Sequence, residues 1–325
     1  MFFTFPRLNE ISGLSVTGGC PWQSVASAYA GDMGGDEPGA TDRARIDRLI
    51  EVATKRAGVS PFGEVITTAM GDPRSGFAVT LDRGGTPEGY AYVVPNPDGA
   101  SSMAEAALST PFHAKPMAGA LLAAAGQAGV AELVWWVHEQ EVVVDHPAFK
   151  QERELHRMRV ALPVSAKPHW PPGVTIRGFR PDQDEAAWLD VNNRAFEGHA
   201  EQAGWTAEDL AVRTDQPWFD AEGLRMVWAE ERLVAFNWTK LHPYSEPRLV
   251  GEIFVIAVDP DRQGSGLGRA TIVEGLRDLS ARQGAEEAVL HVDTAERSAV
   301  HLYRSLGFET EHVSRAFRAE VGSGR

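Results

Sequence analysis

Residues 251–268 read GEIFVIAVDPDRQGSGLG, and the chain continues at once as RATIVEGLRDLSARQG. Ile253 to Val258 form an unbroken apolar run rich in β-branched side chains, the pattern of a strand buried on both faces. Asp259-Pro260 ends it. Gln263, Gly264, Ser265, Gly266, Leu267 and Gly268 follow as a loop with three alternate glycines, after which Ile272, Val273, Leu276 and Leu279 fall at helical spacing. Strand, glycine loop and helix together make an anion-binding device. With no side chains in the way, the backbone N–H groups of residues 264–269, Arg269 included, converge on a phosphate, and the helix dipole adds partial positive charge there. The loop lacks the Gly-Lys-Ser/Thr ending of a nucleoside-triphosphate loop, and no ribose-binding acid follows at the dinucleotide spacing.

At 325 residues, with 43% hydrophobic and 23% charged side chains, the chain has the composition of a globular protein and the length for two domains. No run of eighteen apolar residues predicts a membrane span, and the start, MFFTFPRLNEISG, does not read as a secretory signal. The expected location is cytoplasmic. Cys20 is the single cysteine, so no internal disulfide forms. A formal charge of −14 argues against non-specific nucleic-acid binding.

Residues 1–43 are rich in Gly, Ser, Asp and Pro without sustained period and are expected to be a disordered extension or a start-site artefact. A helix is predicted from Thr41 with Ile46, Leu49, Ile50 and Ala53 on one face, stopping at Gly58. GFAVTLDRG and EGYAYVVPN read as paired strands, MAEAALSTP as a third, MAGALLAAAGQAG as a helix and AELVWWVHE as a further strand. The same succession returns as LRMVWAEE, RLVAFNWTKLHP, GEIFVIAVDP, the helix after the glycine loop, and AVLHVD. Two copies of one unit in tandem is the economical reading. The first copy has FHAKPMAG where the second has DRQGSGLG, so its phosphate cradle is expected to be poor or absent: Pro116 lacks an N–H and the freedom of glycine. SAKPHWPPG, residues 165–173, is the expected linker between domains spanning 44–164 and 174–325. Beyond it a strand, a helix from about Asp182, the loop HAEQAGW and a helix introduced by Thr206 are expected.

The glycine loop resembles the Q/R-x-x-G-x-G/A pyrophosphate loop of the GNAT superfamily of N-acetyltransferases. AERSAVHLYRSLGFE, thirty-odd residues on, resembles that superfamily's closing signature. AFEGHAEQAGWT (195–206), PWFDAEGL (217–224), FNWTKLHP (236–243), YRSLGF and Gly58-Val59-Ser60-Pro61-Phe62-Gly63-Glu64 resemble more closely the tandem-GNAT mycothiol synthase family of actinobacteria. The resemblance implies an α/β fold with a mixed (α+β) sheet, in two tandem GNAT-like acetyltransferase domains of which the later is catalytic. It implies acetyl-CoA as cosubstrate, a small-molecule amine as acceptor and no metal. A monomer free of nucleic-acid and membrane partners is expected.

Residue by residue, the resemblance implies Glu252, at the start of the central strand, as general base, and Tyr303 as the acid that protonates the coenzyme A sulfur. Backbone groups of Ile256, Ala257 and Val258 are implied to hold the pantetheine arm. The loop from Gln263 to Arg269, with Glu296, Arg297, Ser298, Ala299, Val300 and His301, is implied to bind the rest of the cofactor. Glu64, Glu201, Lys240, Glu252 and Asp293 are the implied substrate contacts, Glu64 coming from the first domain. One departure is that Glu296 stands where the family has an asparagine. Other small amines, or acetyl-CoA binding without turnover, remain open alternatives.

Overall fold

The computed structural model describes residues 40–70, 74–96, 101–198, 202–242 and 248–322. Residues 1–39, on which the expectation of an extension falls, lie outside the described residues, and a helix already runs at Ala40. In chain order the elements are α1 (Ala40–Ala57), α2 (Glu64–Ala69), β1 (Phe77–Arg83), β2 (Thr86–Pro95), β3 (Ser102–Leu108), α3 (Ala114–Gln127), β4 (Glu132–Val137) and β5 (Lys150–Ala161). There follow β6 (Val174–Gly178), α4 (Glu185–Ala195), α5 (Ala207–Thr214), β7 (Leu224–Ala229), β8 (Arg232–His242), β9 (Val250–Val258), α6 (Leu267–Ala281), β10 (Glu287–Asp293), α7 (Arg297–Ser305) and β11 (Glu309–Glu320).

The chain divides into two compact units. Among the described residues, 40–154 together with 312–322 make the first, and Leu155–Glu311 the second. The proline-rich stretch 165–173 therefore falls inside the second unit, where Val164, Ala166 and Trp170 pack against its core.

In the first unit, β1, β2 and β3 are antiparallel neighbours, and β4 lies parallel to β3. The last residues of β11, Arg315–Glu320, close the sheet antiparallel to β4. One face carries α3, whose Met117 and Leu121 pack with Leu133, Trp135 and Phe317. The other carries α1 and α2, with Leu49, Ala53, Phe62 and Ile66 against Tyr90, Tyr92 and Met103.

In the second unit the order is β5 (from Leu155 on), β10, β9, β8, β7, β6. The β9–β10 pair is parallel, and the others for which a register is defined are antiparallel. Helices cover both faces of β9, which is why its apolar run does not alternate with polar residues. Ile253 and Ile256 pack with Ile272, Val273, Leu276 and Leu279 of α6, while Phe254, Val255 and Ala257 join Trp188 and Val191 of α4. The approach of α6 to the sheet is close: a Cβ on Gly275 would lie 2.2 Å from Asn237 Nδ2, which donates to the Thr271 carbonyl at 3.1 Å. Thr206 caps α5 through a reciprocal capping box with Asp209.

Because Phe317 comes from the far end of the chain yet fills the first unit's core, Phe317→Ala is expected to destabilise that unit by about 3 kcal/mol or more. Urea unfolding combined with limited proteolysis checks this; a variant with an unchanged midpoint and no new cleavage in residues 77–137 would contradict it.

Candidate active site

Parallel strands β9 and β10 stay paired only from Val250–Glu287 to Glu252–Val289. Beyond that point β9 continues to Val258 on the arm of β8 alone, and Glu252 stands where the two strands part. It lies inside the strand, two residues past the start at Val250, rather than at its first position. Register decides its neighbours. Lys240 is opposite Glu252 on β8, so His242, two residues on, faces the same side; Val289 is opposite on β10, so His291 does likewise.

His242 Nε2 lies 2.8 Å from Glu252 Oε2, and His291 Nδ1 lies 3.4 Å from Oε1. Burial pushes the Glu252 carboxyl up, but hydrogen bonds and charge from these two imidazoles outweigh it and hold the group well below the usual carboxylate range. The charge of Arg157 on β5 also acts on it.

The glycine loop begins from a braced turn. Asp259 is fully buried; its Oδ2 accepts from Arg194 at 3.0 Å and Arg232 at 2.7 Å, and its Oδ1 from the Asp261 N–H at 3.0 Å. Gly264 and Gly266 both have positive φ, +75° and +84°, and a Cβ on either would meet nothing within 4 Å. The loop thus presents backbone to open space at the start of α6, which suits a phosphate ligand. Leu267 differs from its neighbours: its side chain is buried, so only its backbone serves the loop. Arg269 Nη1 donates to Ser305 Oγ at 2.7 Å, tying α6 to α7.

Tyr303 is 2% exposed on α7 and meets Phe308 edge-on with ring centroids 5.8 Å apart. Burial pushes its phenol well above 10, and the charge of Glu296 adds to the shift. The hydroxyl is therefore held protonated. Glu296 is the N-cap residue of α7, and Arg297, Ser298, Ala299, Val300 and His301 open that helix, Val300 N donating to the Glu296 carbonyl at 3.0 Å. Asp293, at the end of β10, accepts from the Ala295 N–H at 3.0 Å. Lys240 Nζ sits 4.7 Å from the Trp218 ring centroid and 5.7 Å from that of Phe254. Glu201 lies outside the described residues, although the loop that carries it is pinned just beyond: Gln202 Nε2 donates to Asn192 Oδ1 at 2.9 Å and Asn193 Nδ2 to the Trp205 carbonyl at 2.9 Å. Glu64 is the first residue of α2, and its side chain is outside the description.

The first unit repeats the parting. β3 and β4 pair from Ser102–Leu133 to Glu105–Trp136 and then separate, with buried Glu105 at the apex and His138, again two residues on, facing it at 2.9 Å. Here the gap is filled from within. Arg56 donates to the Leu108 and Ser109 carbonyls at 2.8 Å each, and Glu139 accepts from its guanidinium. Pro116 falls in the first turn of α3, where its missing N–H costs little, and Lys115 pairs with Asp145 at 3.3 Å.

None of His242, His291, Glu105, His138 or Arg56 stood out in the sequence. A lone histidine on a strand has no spacing to mark it, and only the register of the two partings reveals the pattern. Among the described residues, no group of three or more His, Cys, Asp or Glu could hold a metal, and no helix is long and apolar enough to cross a membrane.

A mixed sheet with a glycine loop at the start of a crossover helix is the frame of a GNAT acetyltransferase, and residues 186–308 match the model of the acetyltransferase (GNAT) family. A GCN5-related N-acetyltransferase from Sphaerobacter thermophilus superposes with a TM-score of 0.66 at 20% identity, over 86% of this chain and 93% of that one. A tandem GNAT protein from the clavulanic acid biosynthesis pathway does so with a TM-score of 0.57 at 14% identity, over 88% and 98%. The chain is also 39% identical to a mycothiol acetyltransferase of Thermomonospora curvata over 80% of its own length and 88% of the relative's, and 34% identical to one of Nocardia farcinica over 84% and 93%. The chain belongs to the mycothiol acetyltransferase family.

The setting of Glu252 has a consequence for stability. A carboxylate whose folded pKa is depressed contributes stability that is present above its unfolded value, about 4.3, and is lost as pH falls toward the folded one. The difference in unfolding free energy between wild type and Glu252→Gln is therefore expected to shrink from pH 5.5 to pH 3. Urea titrations across that range check the sign; a gap that widens on acidification would mean the imidazoles do not stabilise the ionised form.

Proposed function

We propose that the chain transfers the acetyl group of acetyl-CoA to the cysteinyl amine of 1D-myo-inosityl 2-(L-cysteinylamido)-2-deoxy-glucopyranoside, forming mycothiol. The observation that carries this reading is the 39% identity across 88% of a mycothiol acetyltransferase. The chemistry at the strand parting is consistent with it. Acetyl-CoA supplies the acyl group in activated form, as a thioester.

The protein's own part is positioning and proton handling. Backbone N–H groups from Gly264 to Arg269 hold the pyrophosphate, and backbone groups of Ile256 to Val258, beyond the last β10 partner, hold the pantetheine arm. The opening of α7, from Glu296 to His301, completes the cofactor contacts. Glu252, ionised, takes a proton from the substrate nitrogen through one water. Tyr303 keeps a proton on its hydroxyl until negative charge grows on sulfur, and its raised pKa confines donation to that moment. Glu201, Lys240 and Asp293 contact the hydroxyl-rich acceptor.

Mass spectrometry of the thiol product, after mixing the protein with acetyl-CoA and the cysteinyl pseudo-disaccharide, tests the proposal. Acetylation of another amine in a substrate panel, with none of this one, would refute it.

Tyr303→Phe is expected to lower kcat by about 10²- to 10⁴-fold while acetyl-CoA affinity holds within a few-fold, since the ring that packs on Phe308 remains. Steady-state kinetics beside calorimetric titration separates the two effects, and wild-type turnover would remove the acid role.

One acetyl-CoA per chain is expected. The carbonyls at the end of β3 already accept from Arg56, and among its described residues the first unit has no glycine cradle at the start of α3. In titration calorimetry Gly266→Val should abolish this single site without unfolding the protein, because a β-branched residue disfavours positive φ and crowds the approach to the loop. A stoichiometry of two, or unchanged binding in a folded variant, would disprove the assignment.

A further inference from the structure

Directly opposite residues of an antiparallel pair point to the same face, close enough for a lysine and a glutamate to join their charges. Lys240 on β8 and Glu252 on β9 are such a pair. Yet among the described residues the Glu252 carboxylate is met by His242, whose side chain is 39% exposed, and by His291, and Lys240 forms no salt bridge. Its Nζ lies instead over two rings, 4.7 Å from the centroid of Trp218 and 5.7 Å from that of Phe254. Phe254 stands two residues past Glu252 on β9 and therefore shares its face. Trp218 comes from the connection between α5 and β7, and its ring meets Phe254 edge-on at 5.1 Å.

That connection is pinned along its length. Asp220 accepts from Arg282, just past the end of α6, and Phe219 meets Trp238 edge-on at 5.6 Å. Thr239 Oγ1 donates to the Gly223 carbonyl at 3.0 Å, and a Cβ on Gly223 would lie only 2.9 Å from that hydroxyl oxygen. Trp218 is thus a fixed wall, and the negative face of an indole is the best aromatic seat for a cation. The alternative seat would harm the proposed reaction. A lysine paired with Glu252 would occupy carboxylate lone pairs, weaken the carboxylate as a base and spend N–H donors otherwise open to an acceptor.

We propose that Trp218 is a positioning residue: with Phe254 it holds the Lys240 ammonium off Glu252, which leaves the base open to the acceptor amine and the lysine donors open to the acceptor's hydroxyls. The inference rests on Glu252 being the base and Lys240 an acceptor contact.

Trp218→Leu keeps an apolar side chain without a π face, and Trp218→Phe keeps an aromatic one. The kcat/KM for the acceptor is expected to fall about 10-fold in Trp218→Leu and at most about 3-fold in Trp218→Phe, with acetyl-CoA affinity within about twofold of wild type in both. Lys240→Met supplies the readout that a merely structural tryptophan would not move: with the lysine absent, Trp218→Leu should cost no further activity. The position of the amine is checked apart from turnover. Lys240 is one of five lysines, and its side-chain methylene NMR signals, assigned by their loss in Lys240→Met, are expected upfield of the other four through the ring current of Trp218. In Trp218→Leu they should return to the ordinary position. Ordinary shifts in wild type, or losses that multiply in the double variant, overturn the proposal. Glu252→Gln is measured alongside. Full activity there removes the base and, with it, the proposal; an inactive Glu252→Gln beside independent losses at Trp218 and Lys240 leaves the base standing and removes only the role of Trp218.

Discussion

Two parallel strands that begin paired and then part impose the main constraint on the second unit. The hydrogen-bonding groups of β9 beyond Glu252 lose β10 as a neighbour, and unpaired buried backbone costs on the order of 1–3 kcal/mol per group. Such a parting persists only if the surrounding packing holds the strands apart and something answers the exposed groups. Helices on both faces of β9 supply the first requirement, with α6 drawn against the sheet at Gly275 and Asn237. The two units differ in the second. The first answers its carbonyls internally with the guanidinium of Arg56, itself held by Glu139; the second offers no such plug among the described residues.

The parting also determines where acid and base chemistry is placed. A carboxylate at the last paired position can be met by side chains two residues farther along both neighbouring strands, and in the second unit both are histidines. The first unit keeps one such contact, Glu105 with His138, but turns it inward: the other oxygen of Glu105 accepts from the Gly63 N–H at 2.6 Å, and His138 Nδ1 meets Ser314 Oγ. The same register therefore yields a solvent-connected arrangement in one unit and a closed internal bond network in the other.

Much of this architecture was legible in the sequence, for physical reasons. Strands covered on both faces, such as β9, are continuous apolar runs, and a glycine loop before a helical period is hard to mistake. The α5 start was readable from Thr206 and its acidic first turn. β5 was not: KQERELHRMRVA looks like a solvated segment, yet as a strand it pairs with β10 and buries Met158 and Val160 in the core, while Arg157 and Arg159 find partners in Glu311 and Glu287. Those partners lie more than a hundred residues away, beyond the reach of local pattern. The histidines beside Glu252 were silent for the same reason, since register between strands, not spacing along one, brings them together.

The exchange of chain between the two units bears on how the molecule comes to be made. β5 enters the second unit's sheet from the first half of the chain, while β11 returns Arg315–Glu320 to the edge of β4. The half that leaves the ribosome first thus lacks a strand, and the core residue Phe317, until the final residues are synthesised. It must wait with an open sheet edge, the state in which strands pair with the wrong partner. A gene cut at the proline-rich stretch would strand both products in that condition, so the tandem arrangement, however it arose, is no longer separable into its halves.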